Sequence, residues 1–398
     1  MALDPRSGRV AALLTGLVAL GPLSTDLYLP SLPALVRFFR TDVASVQLTL
    51  SVFLVGFALS QLAYGPLSDR FGRRPMLLVG LVVYVAASIA CALATSMTML
   101  IVARFFQALG GCCGPVLGRA VVRDLHGVQR AARMLAYISA ATALAPAIGP
   151  IIGGYLEVAF GWRSNFIALT IFGGVVLLAV SILLSETNAH LNPRATRLRE
   201  LIANYRMVLV HRSFLGYTLC VAFSYSWLFA FISGSSFVLI DVLHVAPEHF
   251  GYCFLVPVAG YMSGTLSSGR LTMRLGIDRM ISLGTLLGAV SGSTMAVLAL
   301  AGVHTIASVL VPTFFCFMAG GLVLPNALAG AIGPFPKMAG AASALMGFFQ
   351  MGCAALLGFL VGHLHNATPA PMALAMSAAG WGSFAAYRLL VKAGQHSV

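Results

Sequence analysis

Two residues stand out chemically against their surroundings. Asp26 sits in "GPLSTDLYLPSLPAL" (Gly21–Leu35) and Arg104 in "LIVARFFQALGGCCGPVLGRAVVRD", stretches otherwise apolar enough for a lipid bilayer. A charge at mid-membrane costs roughly 2.5–3.5 kcal/mol on insertion scales. Two influences oppose each other on such a carboxyl: burial favours the protonated form, and a nearby guanidinium favours the ionised one. A group balanced between them, and opened in turn to each side of a membrane, gains and loses a proton as its surroundings change. The other possibility is a static buried ion pair that only holds helices together, but such pairs are weak stability devices.

The elements that must position these groups follow from composition. The chain has 398 residues, 59% hydrophobic and 9% charged, with a mean hydropathy of +0.93. Soluble domains carry about 25% charged residues. Each helical crossing takes about 20 apolar residues. Twelve such runs are present, at about 10–36, 45–67, 76–95, 98–119, 134–157, 165–184, 214–239, 250–269, 280–301, 304–326, 341–363 and 371–390. They do not alternate as barrel strands would, so the expected fold class is an all-α membrane protein.

The net charge of +13 is explained by topology rather than by nucleic acid. With the N-terminus inside, Arg37, Arg40 and Arg163 fall outside, Arg104 lies within a span, and the rest of the 24 Lys and Arg residues fall inside. That bias obeys the positive-inside rule and sets both termini in the cytoplasm. The first span is too long for a signal peptide's apolar region and is expected to be retained. All seven cysteines fall in spans without metal-site spacing, and Cys112–Cys113 reads as small-residue packing. His363 and His365 read as interfacial, so no metal is expected. No H-E-x-x-H motif, phosphate-binding loop or acyl-transfer motif is present, which points away from an enzyme and from ATP-driven transport.

The spans divide six and six around a basic stretch, giving an N-terminal half at 1–184, a cytoplasmic linker at 185–213 and a C-terminal half at 214–398. The linker either holds an amphipathic surface helix, with Leu198, Leu201, Ile202 and Tyr205 toward lipid, or is a plain connection. A repeat supports the division: "GPLSDRFGRRPM" (Gly65–Met76) is matched by "GRLTMRLGIDRM" (Gly269–Met280) in the equivalent loop. Repeated halves of this kind mark a transporter architecture.

Three motifs add to this. In the first loop, Gly65, Asp69, Arg70, Gly72, Arg73 and Arg74 combine a turn with charges, and Asp69 is expected against the N-terminus of another helix. In the fourth span, Arg104, Gln107, Ala108, Gly111 and Pro115 fall on one stripe. Arg104 faces the bundle interior in that reading; snorkelling to the headgroups is the alternative. In the fifth span, Ala145, Gly149 and Gly153 permit close helix approach, and Pro146 and Pro150 permit a bend. At 1.5 Å per residue Asp26 stands about 24 Å up the first span, a depth near that of Arg104, so the two are expected to face each other directly or through water. Tyr28 should face elsewhere.

The Gly65–Met76 loop resembles the major facilitator signature, a conformational latch in that superfamily, although Met273 replaces Asp69 in the second copy. The string Gly149-Pro150-x-x-Gly153-Gly154 resembles the antiporter motif of its drug exporters. "STDLYLPSLPAL", "FSYSWLFAFISGSSFVLI", "HVAPEHFGYCF" and "FPKMAGAASALMGFF" together resemble the Bcr/CflA drug-resistance transporters, twelve-helix drug:proton antiporters. The resemblance implies the major facilitator fold and a monomer in the bacterial inner membrane. It also implies export of drugs or of a small metabolite such as cysteine. Energy would come from the proton gradient with no cofactor, and partners would be protons, substrate and membrane lipids. It gives Asp26 and Arg104 the coupling role. An uptake symporter of the same fold is the alternative. For the substrate cavity the sequence offers Gln61, Gln107, Tyr225, Trp227, Tyr261, Asn326 and Gln350, polar or aromatic groups within spans.

Overall fold

The computed structural model describes residues 8–142 and 144–392. Arg6, expected inside, lies outside the described residues, as do the side chains of Arg9, Arg130, Arg133 and Lys337. Among the described residues, nine helices are long and apolar enough to cross a membrane. We label the spans α1 (Val10–Phe39), α2 (Val43–Phe71), α3 (Arg73–Ala92), α4 (Met97–Leu125), α5 (Ala145–Phe160), α6 (Arg163–Leu183) and α7 (Arg212–Val242). They continue as α8 (247–275), α9 (277–300), α10 (Ile306–Ile332), α11 (Ala339–His363) and α12 (370–392).

The long helical run Pro247–Leu300 becomes two crossings because of Gly276, whose φ of 78° and ψ of 161° are outside helical space. Gly264 and Gly284 then lie against adjacent residues of α10, Met318 and Ala319. The chain has therefore folded back on itself between them. Gly72, with φ of 100°, makes the equivalent turn between α2 and α3. With twelve crossings the first and last described residues, Gly8 and Lys392, come to one face of the bundle, here the terminal face; the other is the far face.

The first span is not one continuous helix. It is helical over Gly8–Asp26, passes through a short 3-10 turn at Leu29–Ser31 and resumes over Leu32–Phe39. Pro30 and Pro33 explain the break: each lacks an N–H and has a fixed φ, which suits the first turn of a helix and not its interior. Asp26 is thus the last residue of the first segment.

The two sets of six spans meet closely on the far face. Ser236 donates to the carbonyl of Leu29 at 2.7 Å, and the Gln47 amide donates to that of Ser233 at 3.0 Å. Arg37 approaches Asp241 at 3.9 Å. Gly154 of α5 lies against the Pro247 carbonyl, and Gly251 of α8 against the backbone of Ile151. Between α6 and α7 the chain forms a helix at Leu198–Leu209 whose Tyr205 hydroxyl donates to the Leu62 carbonyl at 3.2 Å. Tyr205 therefore turns toward α2, while Leu198 and Ile202 remain exposed.

Candidate functional site

A cavity of about 500 Å³ lies between the two sets of helices. Its walls come from α1, α2, α4, α5, α7, α8, α10 and α11, with Thr142 just before α5; α3, α6, α9 and α12 contribute no wall residue. The walls are mostly apolar. Asp26 and Arg119 are the charged residues among them.

Asp26 is 2% exposed. Thr25 shares its hydroxyl between the Asp26 carboxylate, at 3.2 Å, and the carbonyl of Pro22, at 2.8 Å. Behind Asp26 runs α5. A Cβ on Gly149 would lie 3.1 Å from that of Asp26, and one on Gly153 would collide with the Leu27 carbonyl. The glycines of the fifth-span motif thus let α5 lie directly against the broken end of the first helical segment. Pro146 lines the cavity one turn away, and Pro150 lies within α5. Further along the same face of α5, Glu157 accepts a hydrogen bond from Ser31, which in turn accepts one from Asn165 at 2.9 Å.

Arg104 is fully buried and does not snorkel. Its guanidinium donates to the Ser24 carbonyl at 2.9 Å and to the Gln107 side chain. It also lies over the rings of Phe53, at 4.2 Å, and Tyr28, at 4.5 Å. Ring faces attract cations, so these contacts take the place of an anion. Here the direct form of the expected Asp26–Arg104 pairing is corrected: among the described residues no ion pair joins them within 4.0 Å. Their depths are similar, since Arg104 reaches a carbonyl two residues before Asp26. The two side chains have different neighbours: Arg104 lies against the Ser24 carbonyl, Gln107, Tyr28 and Phe53, whereas Asp26 lies beside Thr25 and against α5 at Gly149. Tyr28 faces Arg104, and its hydroxyl lies 2.7 Å from that of Thr49.

Of the residues offered for the cavity, Gln61, Tyr225, Tyr261 and Gln350 line it. Gln107, Trp227 and Asn326 do not. Gln107 is held between Arg104 and Ser88, to which it donates at 2.8 Å. Trp227 is fully buried against Gly288 and donates to the Cys316 carbonyl at 3.2 Å. Asn326 donates to Ser268 and to the Leu322 carbonyl, both at 2.7 Å. All three fasten helices to their neighbours.

The first loop is a charged cluster. Arg73 pairs with Asp69 at 2.7 Å and with Asp124 at 3.2 Å. Asp69 therefore does not cap another helix as expected, because the Gly72 turn brings Arg73, at the start of α3, back onto the carboxylate at the end of α2. The anion at a helix N-terminus is Glu186, which accepts from the backbone N–H groups of Arg73 at 2.9 Å and Arg74 at 3.1 Å. A Cβ on Gly72 would strike Glu186. Arg70 donates to Thr196 at 2.6 Å, and Arg74 to the Ser181 carbonyl at 3.0 Å. Gly65 has open space around it.

Residues 14–359 match the family model described as Major Facilitator Superfamily. The chain belongs to that superfamily. Among its relatives is a protein of Haemophilus influenzae named bicyclomycin resistance protein homolog, 30% identical, with 93% of each chain covered. Multidrug resistance protein D of Escherichia coli is 28% identical, with 87% of this chain and 86% of that one covered. These relatives agree with the resemblance to the Bcr/CflA transporters. The crystal structure of a D-xylose–proton symporter superposes with a TM-score of 0.76 at 14% identity, covering 96% of this chain and 97% of that one. At that identity the match concerns the fold alone: all-α, twelve membrane helices in two six-helix halves.

As a multi-pass transporter of the superfamily, the protein takes a small-molecule substrate. In the topology count Arg119 is one of the inside charges, yet it stands in the cavity wall. The signal was present nonetheless: Arg119 follows Pro115 by four residues and so prolongs the Arg104–Pro115 stripe.

Proposed function

We propose that this transporter is a drug:proton antiporter, exporting small amphipathic molecules across the bacterial inner membrane by alternating access, with both termini in the cytoplasm and the proton gradient as its energy source. The observation that carries the reading is Asp26, among the described residues the one acid in the wall of a cavity between the two halves. The fifth-span glycines behind it and relatives named for bicyclomycin and multidrug resistance support it.

The mechanism follows from the cost of an isolated charge in the membrane. With the terminal face open, substrate meets the ionised Asp26 and compensates its charge. The halves then rock, and on the far face a proton takes the carboxylate and releases the substrate. The protonated form returns and loses its proton on the terminal side. Asp26 without either partner resists the rocking step, because burying an uncompensated carboxylate is costly. Arg104 acts as a positioning residue: through the Ser24 carbonyl it fixes the end of the helix that presents Asp26. The first-loop cluster stands as the conformational latch, with Gly65, Asp69, Arg70, Gly72, Arg73 and Arg74 as its members.

Everted vesicles provide the test. Asp26→Asn is expected to abolish substrate-driven proton movement while the protein still folds and exchanges substrate down its gradient. Gradient-driven export by this variant with the wild-type dependence on pH overturns the assignment. Net movement of substrate with the protons rather than against them identifies an uptake symporter instead.

A further inference from the structure

Arg119 has no part in the mechanism above, yet it stands in the cavity wall. Its side chain is exposed to that space. Among the described residues no carboxylate lies within 4.0 Å of it or of Arg123, one turn further along the same helix face. The neighbouring acid, Asp124, is engaged by Arg73 at 3.2 Å and by Thr187 at 3.3 Å. Among the described residues the cavity therefore presents a guanidinium with no carboxylate partner, with a second exposed arginine behind it toward the terminal face. Such an array draws anions inward.

The placement of Arg119 relative to Asp26 can be read from the packing of α4 on α1. A Cβ on Gly118 would touch Val18 at 3.4 Å, so Arg119 stands at the level of Val18. Asp26 is eight residues further along an unbroken helix, a rise of about 12 Å. Two opposite charges thus sit at different depths of one cavity, and neither neutralises the other. The same wall carries the aromatic residues Phe53, Phe57, Tyr225, Phe254, Tyr261 and Phe317, with the amides Gln61 and Gln350 among them. The volume of about 500 Å³ suits a drug-sized molecule.

We infer that the preferred cargo is an amphipathic zwitterion: a flat apolar body with an ammonium at one end for Asp26 and a carboxylate or similar small anion at the other for Arg119. The inference rests on the transport reading of this cavity and names its substrate class. A cation alone leaves Arg119 without a partner, and an anion alone leaves Asp26 without one. The zwitterion satisfies both and adds no net charge. The planar guanidinium fork can hold a carboxylate through two parallel hydrogen bonds. The ammonium end competes with the proton for Asp26, which is what exchange of the two requires.

The test uses 4′-(aminomethyl)biphenyl-4-carboxylate, whose charges stand at the ends of a rigid biphenyl. Its methyl ester is cationic only and its N-acetyl derivative anionic only. Binding is measured by calorimetric titration of the purified full-length protein at low salt. The wild type is expected to bind the zwitterion about 10-fold or more tighter than either derivative, as a charge-assisted bidentate contact warrants. Arg119→Gln should bring the zwitterion to the ester's affinity and leave the ester unchanged. Asp26→Asn should bring it to that of the N-acetyl compound. Should Arg119→Gln not purify as a folded species, Arg119→Lys serves, with a partial loss confined to ligands that carry the carboxylate. An ester that binds wild type as tightly as the zwitterion, or an Arg119 variant that weakens both alike, overturns the inference. Because binding needs no gradient, the two readings separate. The expected affinity pattern without proton movement keeps the zwitterion site and removes proton-driven export. Proton-driven export without charge preference does the reverse.

Discussion

The two halves repeat one architecture with different chemistry. The offset that lays Gly65 on Gly269 also lays Asp26 on Ala230 and Asp69 on Met273. Ala230 is fully buried, whereas Met273 is 91% exposed. Gly72 and Gly276 make the same turn in the two copies, but only Gly72 is crowded by a partner, Glu186. The cavity follows the same division. Both of its charges come from the N-terminal half, and the C-terminal half supplies Tyr225, Phe254, Tyr261, Phe317 and Gln350. A duplicated scaffold can therefore assign proton chemistry to one half and shape to the other. The half without the acid is spared the cost of holding a charge in the membrane.

Several changes break or sharpen that contrast. The largest effect is expected at Arg104, a cation with no described counterpart ion. Arg104→Met fills the space and leaves the Ser24 carbonyl without its donor, so transport should fall by roughly two orders of magnitude. Unfolding temperature should fall as well, since the Ser24 carbonyl and the Gln107 side chain lose a buried donor, at about 1–3 kcal/mol for each group left unpaired. Arg104→Lys keeps the charge without the planar fork and should lose about tenfold. Transport rates in vesicles, set against elution of the purified variant, check both. Wild-type rates in Arg104→Met would mean that the presentation of Asp26 does not depend on Arg104.

A smaller effect separates the two loops. Gly72 and Gly276 have backbone angles that are essentially confined to glycine, so alanine at either should cost about 1–3 kcal/mol. Gly72→Ala should cost more, because its Cβ also displaces Glu186 from the N-terminus of α3. Thermal unfolding in detergent measures the difference, and equal losses would show that Glu186 yields freely. Asp69→Met, which makes the first loop resemble the second, should remove the Arg73 pair. For a pair at this exposure about 0.2–1 kcal/mol is expected.

The smallest effect lies in the far-face loop of the C-terminal half. His365, half-buried against Phe237, has its pKa held below the ordinary imidazole value by burial, with Asp241 acting weakly in the opposite sense. A depressed imidazole contributes stability that is full above the unfolded pKa of about 6.5 and is lost as pH falls from there through the lower folded value. His365→Gln should therefore reduce the loss of unfolding temperature between pH 8 and pH 5. An unchanged loss would place the pH response elsewhere.

The spans were legible because hydrocarbon imposes length and composition on every crossing. So was the depth of Asp26 relative to Arg104, since helical rise is constant. Azimuth was less accessible. Gln107, Trp227 and Asn326 read as inward-facing, which they are, but an inward face in a bundle this size meets either a neighbouring helix or the cavity. Periodicity does not distinguish the two. The capping role of Glu186 depended on how the segment after α6 folds back, a long-range event without local periodicity. Arg119 was hidden by its usefulness to the topology count, although its stripe continued that of Arg104.

The seam between Gly154 and Pro247, and between Gly251 and Ile151, has a consequence for kinetics. At these glycines the main chains touch with no side chain between them, and beside them the Tyr155 and Tyr252 hydroxyls, 3.0 Å apart, form the side-chain bond that must break when the seam parts. The far side is thus shut by this fit of main chains together with the Ser236 and Gln47 hydrogen bonds and the Arg37–Asp241 approach. Any substituent added at these glycines becomes a wedge, shifting the resting population toward the form open on that side.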